Sequence, residues 1–279
     1  MAANLSEPTT RHFGYDIPTR LMNLTGGGPD TFDFISQFHM QTMKEYAPVA
    51  PSHSVLEIGC GIGRDAIPLT EIIGRQGSYL GIDIIKDSID WCSENITKNH
   101  PNFKFIHYDI QDQLHNPHGI SKTSQIRLPI KKQSVDRIIL RSVFTHMFRD
   151  DIVHYLTEFE RVLKPNGLVY ATWFIVDSAV ISKAQKTNLT PFNLRFEHKI
   201  GEGCYIEDPV HPLGAVAYTS DALMDMIRAS GLRLFGDIHR GSWSGYWKST
   251  KGAQDATVLA LPYAEKFSRT LRQALRLRL

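Results

Sequence analysis

A chain of 279 residues, 42% apolar and 22% charged, can build one large α/β domain with additions and has the composition of a soluble globular protein. Its formal charge of +2 sets up no strong field for nucleic acid or a membrane surface, and no apolar run approaches the length of a membrane span. The three cysteines, Cys60, Cys92 and Cys204, are scattered and odd in number, which fits neither a disulfide framework nor a zinc pattern.

Met1 to Asp16 holds no apolar signal-peptide core, so the expected location is cytoplasmic. No internal repeat or low-complexity segment stands out. Residues 1–50 read as an N-terminal helical lid or cap segment, with a domain over 51–279 to follow. Gly26-Gly27-Gly28 and Pro29-Asp30 precede an amphipathic helix from about Phe32 to Tyr46. The triple glycine could serve a lid or be a plain linker.

Val55-Leu56-Glu57-Ile58 is a short apolar run carrying an acid, and Gly59-Cys60-Gly61-Ile62-Gly63 follows it, with a helix-like segment from Arg64. This describes a buried parallel strand running into a tight turn. Glycine there tolerates positive φ and lets a ligand approach bare backbone, while the next helix aims its N-terminal N–H groups at whatever sits above. The dinucleotide fingerprint needs its third glycine at offset 5, where this chain has Arg64. No Gly-Lys-Ser/Thr follows, so the phosphate loop fails too.

Gly77 to Asp83 reads as a second strand ending in an acid, 20 residues beyond Gly63. That distance is about one helix and one strand, which places Asp83 at the carboxyl end of the neighbouring strand, where a carboxylate can accept ribose hydroxyls. A helical pattern runs from Lys86 to Asn99. Phe103 to Tyr108 is the third strand, and Asp109 follows it. Gln111 to Gln133, with Pro117, Gly119 and Pro129, reads mostly as loop. Val135 to Leu140 is the fourth strand, Asp151 to Val162 a helix, Leu163 to Gly167 a turn and Leu168 to Thr172 the fifth strand.

An insertion at about 177–219 separates this strand from the helix Ser220 to Ser230. It would overhang the carboxyl ends of the strands, where ligands sit in such sheets. Its Phe192, Phe196, Tyr205 and Tyr218, with Arg195, Glu197, His198, Glu207 and His211 among them, suit a pocket wall. Arg233 to Ile238 and Ala256 to Leu261 read as the last strands, linked by the aromatic, glycine-rich stretch Gly241 to Trp247. Glu265 to Leu279 is a basic tail of near-helical spacing that reads as a solvated end or a lipid or partner contact.

The stretch E-x-G-x-G-x-G over Glu57 to Gly63, with Asp83, Asp109 and the Leu163-Lys164-Pro165-x-Gly167 turn in the right order, resembles the class I S-adenosylmethionine (SAM) dependent methyltransferases over residues 50–175. The resemblance implies an α/β, Rossmann-like fold: a seven-stranded, mostly parallel sheet with helices on both faces and an antiparallel last strand. It implies SAM as cofactor, held by Glu57, Gly59, Cys60, Gly61, Gly63, Asp83, Ile84, Asp109, Ile110 and Ser142. In that family Glu57 would reach the glycine-loop backbone or the methionine amino group, Asp83 the ribose and Asp109 the adenine amino group.

Methyl transfer from a sulfonium is an in-line displacement, so alignment supplies much of the acceleration. An oxygen acceptor of high pKa also needs a base, most often His. After the fourth strand the chain reads Arg141-Ser142-Val143-Phe144-Thr145-His146-Met147. His146 is the preferred catalytic base and Thr145 its neighbour at the reaction. A histidine that packs or caps the next helix is the competing reading. Phe144 and Met147 would line the site or belong to the core. Asp177 is a weaker base candidate, as is His154, expected to face solvent.

The Asn/Asp-Pro-Pro-aromatic element of nucleic-acid amino methyltransferases is absent at Leu140 to Phe144, and near-neutral charge agrees that no nucleic acid is bound. His100, His107, His115 and His118 lack ligand spacing, so no metal is expected. The expected partner is a small-molecule acceptor, with oxygen preferred and a homo-oligomer left open. A protein or carrier-tethered acceptor, or a non-catalytic SAM-binding protein, are the alternatives. An NAD-dependent dehydrogenase is a distant third.

Overall fold

The computed structural model describes residues 7–112, 115–187, 190, 192–249 and 252–262. The basic stretch Glu265 to Leu279 lies outside the described residues. The chain forms two compact units, Met1–Asp109 and Ile110–Leu279.

The first unit opens with a hairpin of β1 (Thr9–His12) and β2 (Tyr15–Pro18), paired antiparallel around a turn at Phe13 and Gly14. A short helix α1 (Thr19–Met22) leads to α2 (Gly28–Tyr46). This helix starts one turn before the apolar pattern announces it, because Pro29 falls in its first turn, where a missing N–H costs nothing. The strands β3 (Ser54–Ile58), β4 (Ser78–Asp83) and β5 (Phe103–His107) run parallel, with Glu57 beside Gly81 and Gly81 beside Phe105. After the glycine loop, α3 spans only Ala66–Leu69. The chain continues on tighter bonds, Thr70 N–H to Ile67 and Glu71 N–H to Pro68. Between β4 and β5, α4 (Lys86–Cys92) passes into a π turn at Ser93–Thr97.

The second unit holds β6 (Val135–Leu140), α5 (Arg149–Val162), β7 (Leu163–Trp173), β8 (Ile175–Val176), α6 (Ser178–Thr187), β9 (His198–Gly201), β10 (Cys204–Ile206), β11 (Val216–Thr219), α7 (Ser220–Ala229), β12 (Arg233–Leu234) and β13 (Asp255–Ala260). The seven-stranded sheet has the order β12-β13-β7-β6-β3-β4-β5. β6 and β7 are parallel, while β13 is antiparallel to β7. This is the mostly parallel α/β sheet with an antiparallel last strand that the sequence led us to expect.

Two details differ from expectation. β7 begins at Leu163 directly where α5 ends, so Lys164 to Gly167 extends the strand instead of forming a separate turn. β12 stops at Leu234, ahead of Gly236 at φ 83°, with a Phe235 N–H bond to the Val258 carbonyl and a bridge from His239 to Ala256 beyond it.

The insertion is a small structure in its own right. β8, β11, β10 and β9 make a four-stranded sheet. Phe174, Val176, Val180, Ala184, Phe196, Ala217 and Trp243 form a buried cluster against it. Phe196 belongs to this cluster with no exposure, while Phe192 is out in solvent. Glu207 accepts the backbone N–H groups of Arg195 and Phe196, so part of the expected pocket wall is internal structure.

Asp255 fastens the arrangement. Fully buried, it accepts from Ile175 N–H (2.8 Å), Trp243 Nε1–H (2.9 Å) and Gly241 N–H (2.9 Å). Asp255→Asn keeps the shape but turns an amide donor toward N–H groups. It is expected to lower the unfolding free energy by about 2 kcal/mol in a denaturant titration.

Candidate functional site

The residues singled out in the sequence fall into two groups, one in each unit. In the first, the loop after β3 is held by backbone bonds to the neighbouring strand: Gly59 N–H (2.8 Å) and Cys60 N–H (3.2 Å) both donate to Ile82. Gly59, Gly61 and Gly63 all have left-handed backbone, with φ of 76°, 51° and 80°, which is why the sequence alternates glycine here. At Gly63 a Cβ would also stand 2.8 Å from Ile96 Cδ1 and 3.2 Å from Cys92 Sγ. Gly63→Ala is therefore expected to cost about 1–3 kcal/mol of stability, read as a lowered melting temperature.

Asp83, at the end of β4 and 8% exposed, braces this loop. Its Oδ2 accepts Gly61 N–H at 2.7 Å and its Oδ1 accepts Ile85 N–H at 2.8 Å. Ile84 is half-buried, and its carbonyl takes a bond from His107 Nε2 at 3.1 Å. Tyr108 N–H donates to the Asp83 carbonyl, and half-buried Asp109 follows it. Asp83 and Asp109 thus stand at the carboxyl ends of adjacent strands.

Glu57 is buried and accepts from the Tyr79 hydroxyl at 2.5 Å. The strand register explains the pairing, because Tyr79 of β4 lies opposite Val55 and so on the same face of the sheet as Glu57. Burial, then the Glu57 carboxylate, pushes the Tyr79 phenol well above its ordinary range. Cys60 and Cys92 lie under the loop, both donating to the Gly61 carbonyl, at 3.8 and 3.7 Å. Burial first and Asp83 second raise both thiols well above normal, which disfavours the thiolate at each.

The N-terminal segment packs on this loop, which composition alone did not reveal. Arg64 Nη1 donates to the Gly26 carbonyl at 2.7 Å, and Ser36 Oγ donates to the Arg64 carbonyl at 2.9 Å. His12 lies between Asp33 and the Arg64 carbonyl. Thr25 Cγ2 sits 3.2 Å from where a Gly61 Cβ would be. Arg64 occupies the place of a third fingerprint glycine because its guanidinium ties the triple-glycine segment to the loop.

In the second unit, Ile110 is buried and its carbonyl accepts from Asn116. After β6 the chain enters Ser142, an exposed residue at φ 55°. Left-handed backbone at a residue with a Cβ is a strained feature. It is held by Ser142 N–H to Thr172 Oγ1 (2.8 Å) and Ser142 Oγ to Gln254 Oε1 (3.1 Å). A 3₁₀ turn, Phe144–His146, follows. It points Phe144 into the core against Trp173, ring centroids 4.7 Å apart. It also buries Thr145 completely, leaving its hydroxyl without a partner. Thr145 was expected at the reaction, but this inward turn keeps its side chain from solvent.

His146, half-buried, donates from Nδ1 to the Leu213 carbonyl at 3.0 Å. Burial pulls its pKa below the ordinary 6.5, and His115, whose ring lies 6.3 Å away, pulls the same way. Leu213, Asp112 and the Gly214 backbone oppose the shift. Tyr218 of β11 donates its hydroxyl to the Met147 carbonyl at 3.0 Å. The weaker base candidates are committed elsewhere. His154 does not face solvent but donates to the Ile126 carbonyl at 2.7 Å, and Asp177 accepts Val180 N–H in the first turn of α6. Among the described residues no group of three or more His, Cys, Asp or Glu could hold a metal ion, and no helix is long and apolar enough to cross a membrane.

An imidazole whose Nδ1–H is spent on a carbonyl carries its lone pair on Nε2. A glycine loop that opens to solvent at Gly59 and two strand-end carboxylates suit a ligand with hydroxyl and amino donors, such as an adenosyl group.

Comparison with known proteins gives this chemistry a family. Residues 50–229 match the family described as methyltransferase domain. The tRNA N(3)-cytidine methyltransferase METTL2 of Gallus gallus is 22% identical over 53% of this chain and 38% of its own length. An arsenite methyltransferase of Aquipseudomonas alcaligenes is 28% identical over 49% of this chain and 39% of its own. The chain thus spans about two fifths of the length of these relatives. A solved SAM-dependent methyltransferase from Aquifex aeolicus has the same fold, with a TM-score of 0.50 at 16% identity, over 83% of this chain and 97% of that one. The chain belongs to the methyltransferase-domain family, and its fold is that of a solved SAM-dependent methyltransferase.

Proposed function

We propose that the protein methylates a small molecule at oxygen, without a metal, and that His146 is the general base. The observation that carries this reading is the Nδ1–H bond from His146 to the Leu213 carbonyl. It fixes the tautomer with Nε2 as acceptor, and burial keeps the ring neutral near pH 7. A hydroxyl of high pKa must lose its proton as it is methylated, and a neutral imidazole is suited to take it.

SAM, when bound, supplies the electrophilic methyl group. Glu57, Gly59, Cys60, Gly61, Gly63, Asp83, Ile84, Asp109, Ile110 and Ser142 would hold it: glycine backbone for close approach, Asp83 for the ribose hydroxyls and Asp109 for the adenine amino group. Residues 12–36 would cap the loop and exclude water, supported by the ties from Arg64 to Gly26 and from Ser36 to Arg64. A cytoplasmic location belongs to the same reading.

The relatives suggest other acceptors by name, a tRNA cytidine and arsenite. A formal charge of only +2 and the sequence Leu140 to Phe144, unlike a base-stacking clamp, favour a small molecule over RNA. Soft arsenic(III) wants thiolates, and Cys60 and Cys92 are buried, protonated thiols. The test is methyl-labelled SAM incubated with the protein and a fractionated cell extract. Label in the small-molecule fraction supports the reading. Label confined to RNA or protein overturns it.

A further inference from the structure

We propose that Tyr218 is a positioning residue for methyl transfer, acting with the Leu213 carbonyl to hold the His146–Met147 segment in place from the insertion. This rests on the reading of His146 as the base. Within the segment, the 3₁₀ turn is closed by His146 N–H to the Val143 carbonyl at 3.0 Å. One such bond sets the backbone turn but not the imidazole, and Met147 is already extended, with ψ 149°. The ring is fixed by the Leu213 carbonyl and the following residue by the Tyr218 hydroxyl, each at 3.0 Å.

Both anchors belong to one short stretch of the insertion. Leu213 lies in the 3₁₀ turn Pro212–Gly214, and Ala215 alone separates that turn from β11. In β11, Tyr218 is paired with Cys204 on one side and Ile175 on the other, and its own N–H donates to the Phe174 carbonyl at 2.9 Å. Ala215 and Ala217 are buried with Phe174, Phe196 and Trp243, so the strand carrying the anchors cannot drift independently. Tyr218 is itself 3% exposed. Its hydroxyl is in contact with the Cys204 thiol, with Asp151 and Arg149 nearby. Burial raises its pKa, so it remains a donor wherever the enzyme works. The insertion therefore does more than wall the acceptor: it sets which nitrogen of His146 carries the lone pair and where that nitrogen stands.

Tyr218→Phe removes one hydroxyl and keeps the ring, and Pro212→Gly loosens the half-buried turn that presents Leu213. Two readouts apply. The first is the ¹⁵N shifts of His146 in histidine-labelled protein. The second is the pH dependence of label transfer from methyl-labelled SAM to the extract fraction that accepts it. The wild type is expected to show the Nδ1–H tautomer. Tyr218→Phe should give a tautomer mixture, an acid limb moved up toward the ordinary histidine range, about fivefold slower turnover and unchanged SAM affinity. Pro212→Gly should shift the tautomer in the same direction. If both variants keep the wild-type tautomer and acid limb, the positioning role is overturned even where stability falls. Full turnover in His146→Ala overturns the base reading and this one together. Turnover that needs His146 but is untouched by Tyr218→Phe overturns this one alone.

Discussion

Replacing Asp83 by alanine is expected to weaken SAM binding at least about tenfold and to lower stability by about 2–4 kcal/mol. The two losses have separate origins. The carboxylate now accepts Gly61 N–H and Ile85 N–H. Both donors sit beside a side chain with little solvent contact, so each is left short of a partner at a cost of about 1–3 kcal/mol. That is the stability loss, and a denaturant titration reads it. The affinity loss comes from hydroxyl donors of the bound ribose. Hydrogen bonds to a charged acceptor are worth about 1.5–3 kcal/mol each, and 1.4 kcal/mol is already a factor of ten. Calorimetry with SAM reads that part. A destabilised Asp83→Ala with unaltered SAM affinity would leave Asp83 as a loop brace and remove it from the ribose site. Asp83→Asn sharpens the distinction, because the amide retains one acceptor oxygen for the loop but loses the charge.

How far the sequence reaches is clear from the same residues. The glycine loop and the strand ends were legible because their demands are local. Three left-handed positions after an apolar strand can hardly be filled except by glycine, and an acid at a strand end needs only the strand's length to be placed. Partners supplied by distant residues were not legible. Nothing around Glu57 announces Tyr79, which meets it only through the parallel register of β3 and β4. Arg64 looked like a failed fingerprint glycine, and its contact with the Gly26 carbonyl needs the N-terminal segment folded back on the loop. Thr145 was expected to face the reaction beside His146, yet a 3₁₀ turn sends neighbouring side chains in different directions, and Thr145 goes to the core. The insertion's aromatic content suggested a pocket wall. Instead Phe196 fills a core of its own, because a segment of this length must bury apolar surface before it can present any.

Substitution of His146 by alanine should reduce methyl transfer by about 100- to 10,000-fold, the range that a positioned general base contributes, while SAM affinity stays within about twofold of wild type. The pH profile adds a second signature. Burial lowers the His146 pKa below 6.5, which favours the neutral ring at pH 7, the form a base requires. Turnover should fall only as pH drops through this lowered value, placing the acid limb below that of an exposed histidine. Stability carries the same sign. Between the folded and unfolded pKa the unfolded chain binds the extra proton, so stability rises with pH in that window and is lost as pH falls from about 6.5. In His146→Ala both effects should vanish together: the residual rate should lose its acid limb, and acid unfolding should become less steep over the same interval. A variant that kept its acid limb would assign that limb to another group, with His115 the neighbour to test next, since it already lowers the His146 pKa. Retention of full turnover would leave His146 a packing histidine. The chemistry would then fit an acceptor that reacts without losing a proton to the protein, which points away from a hydroxyl and toward a nucleophile such as an unprotonated nitrogen or sulfur.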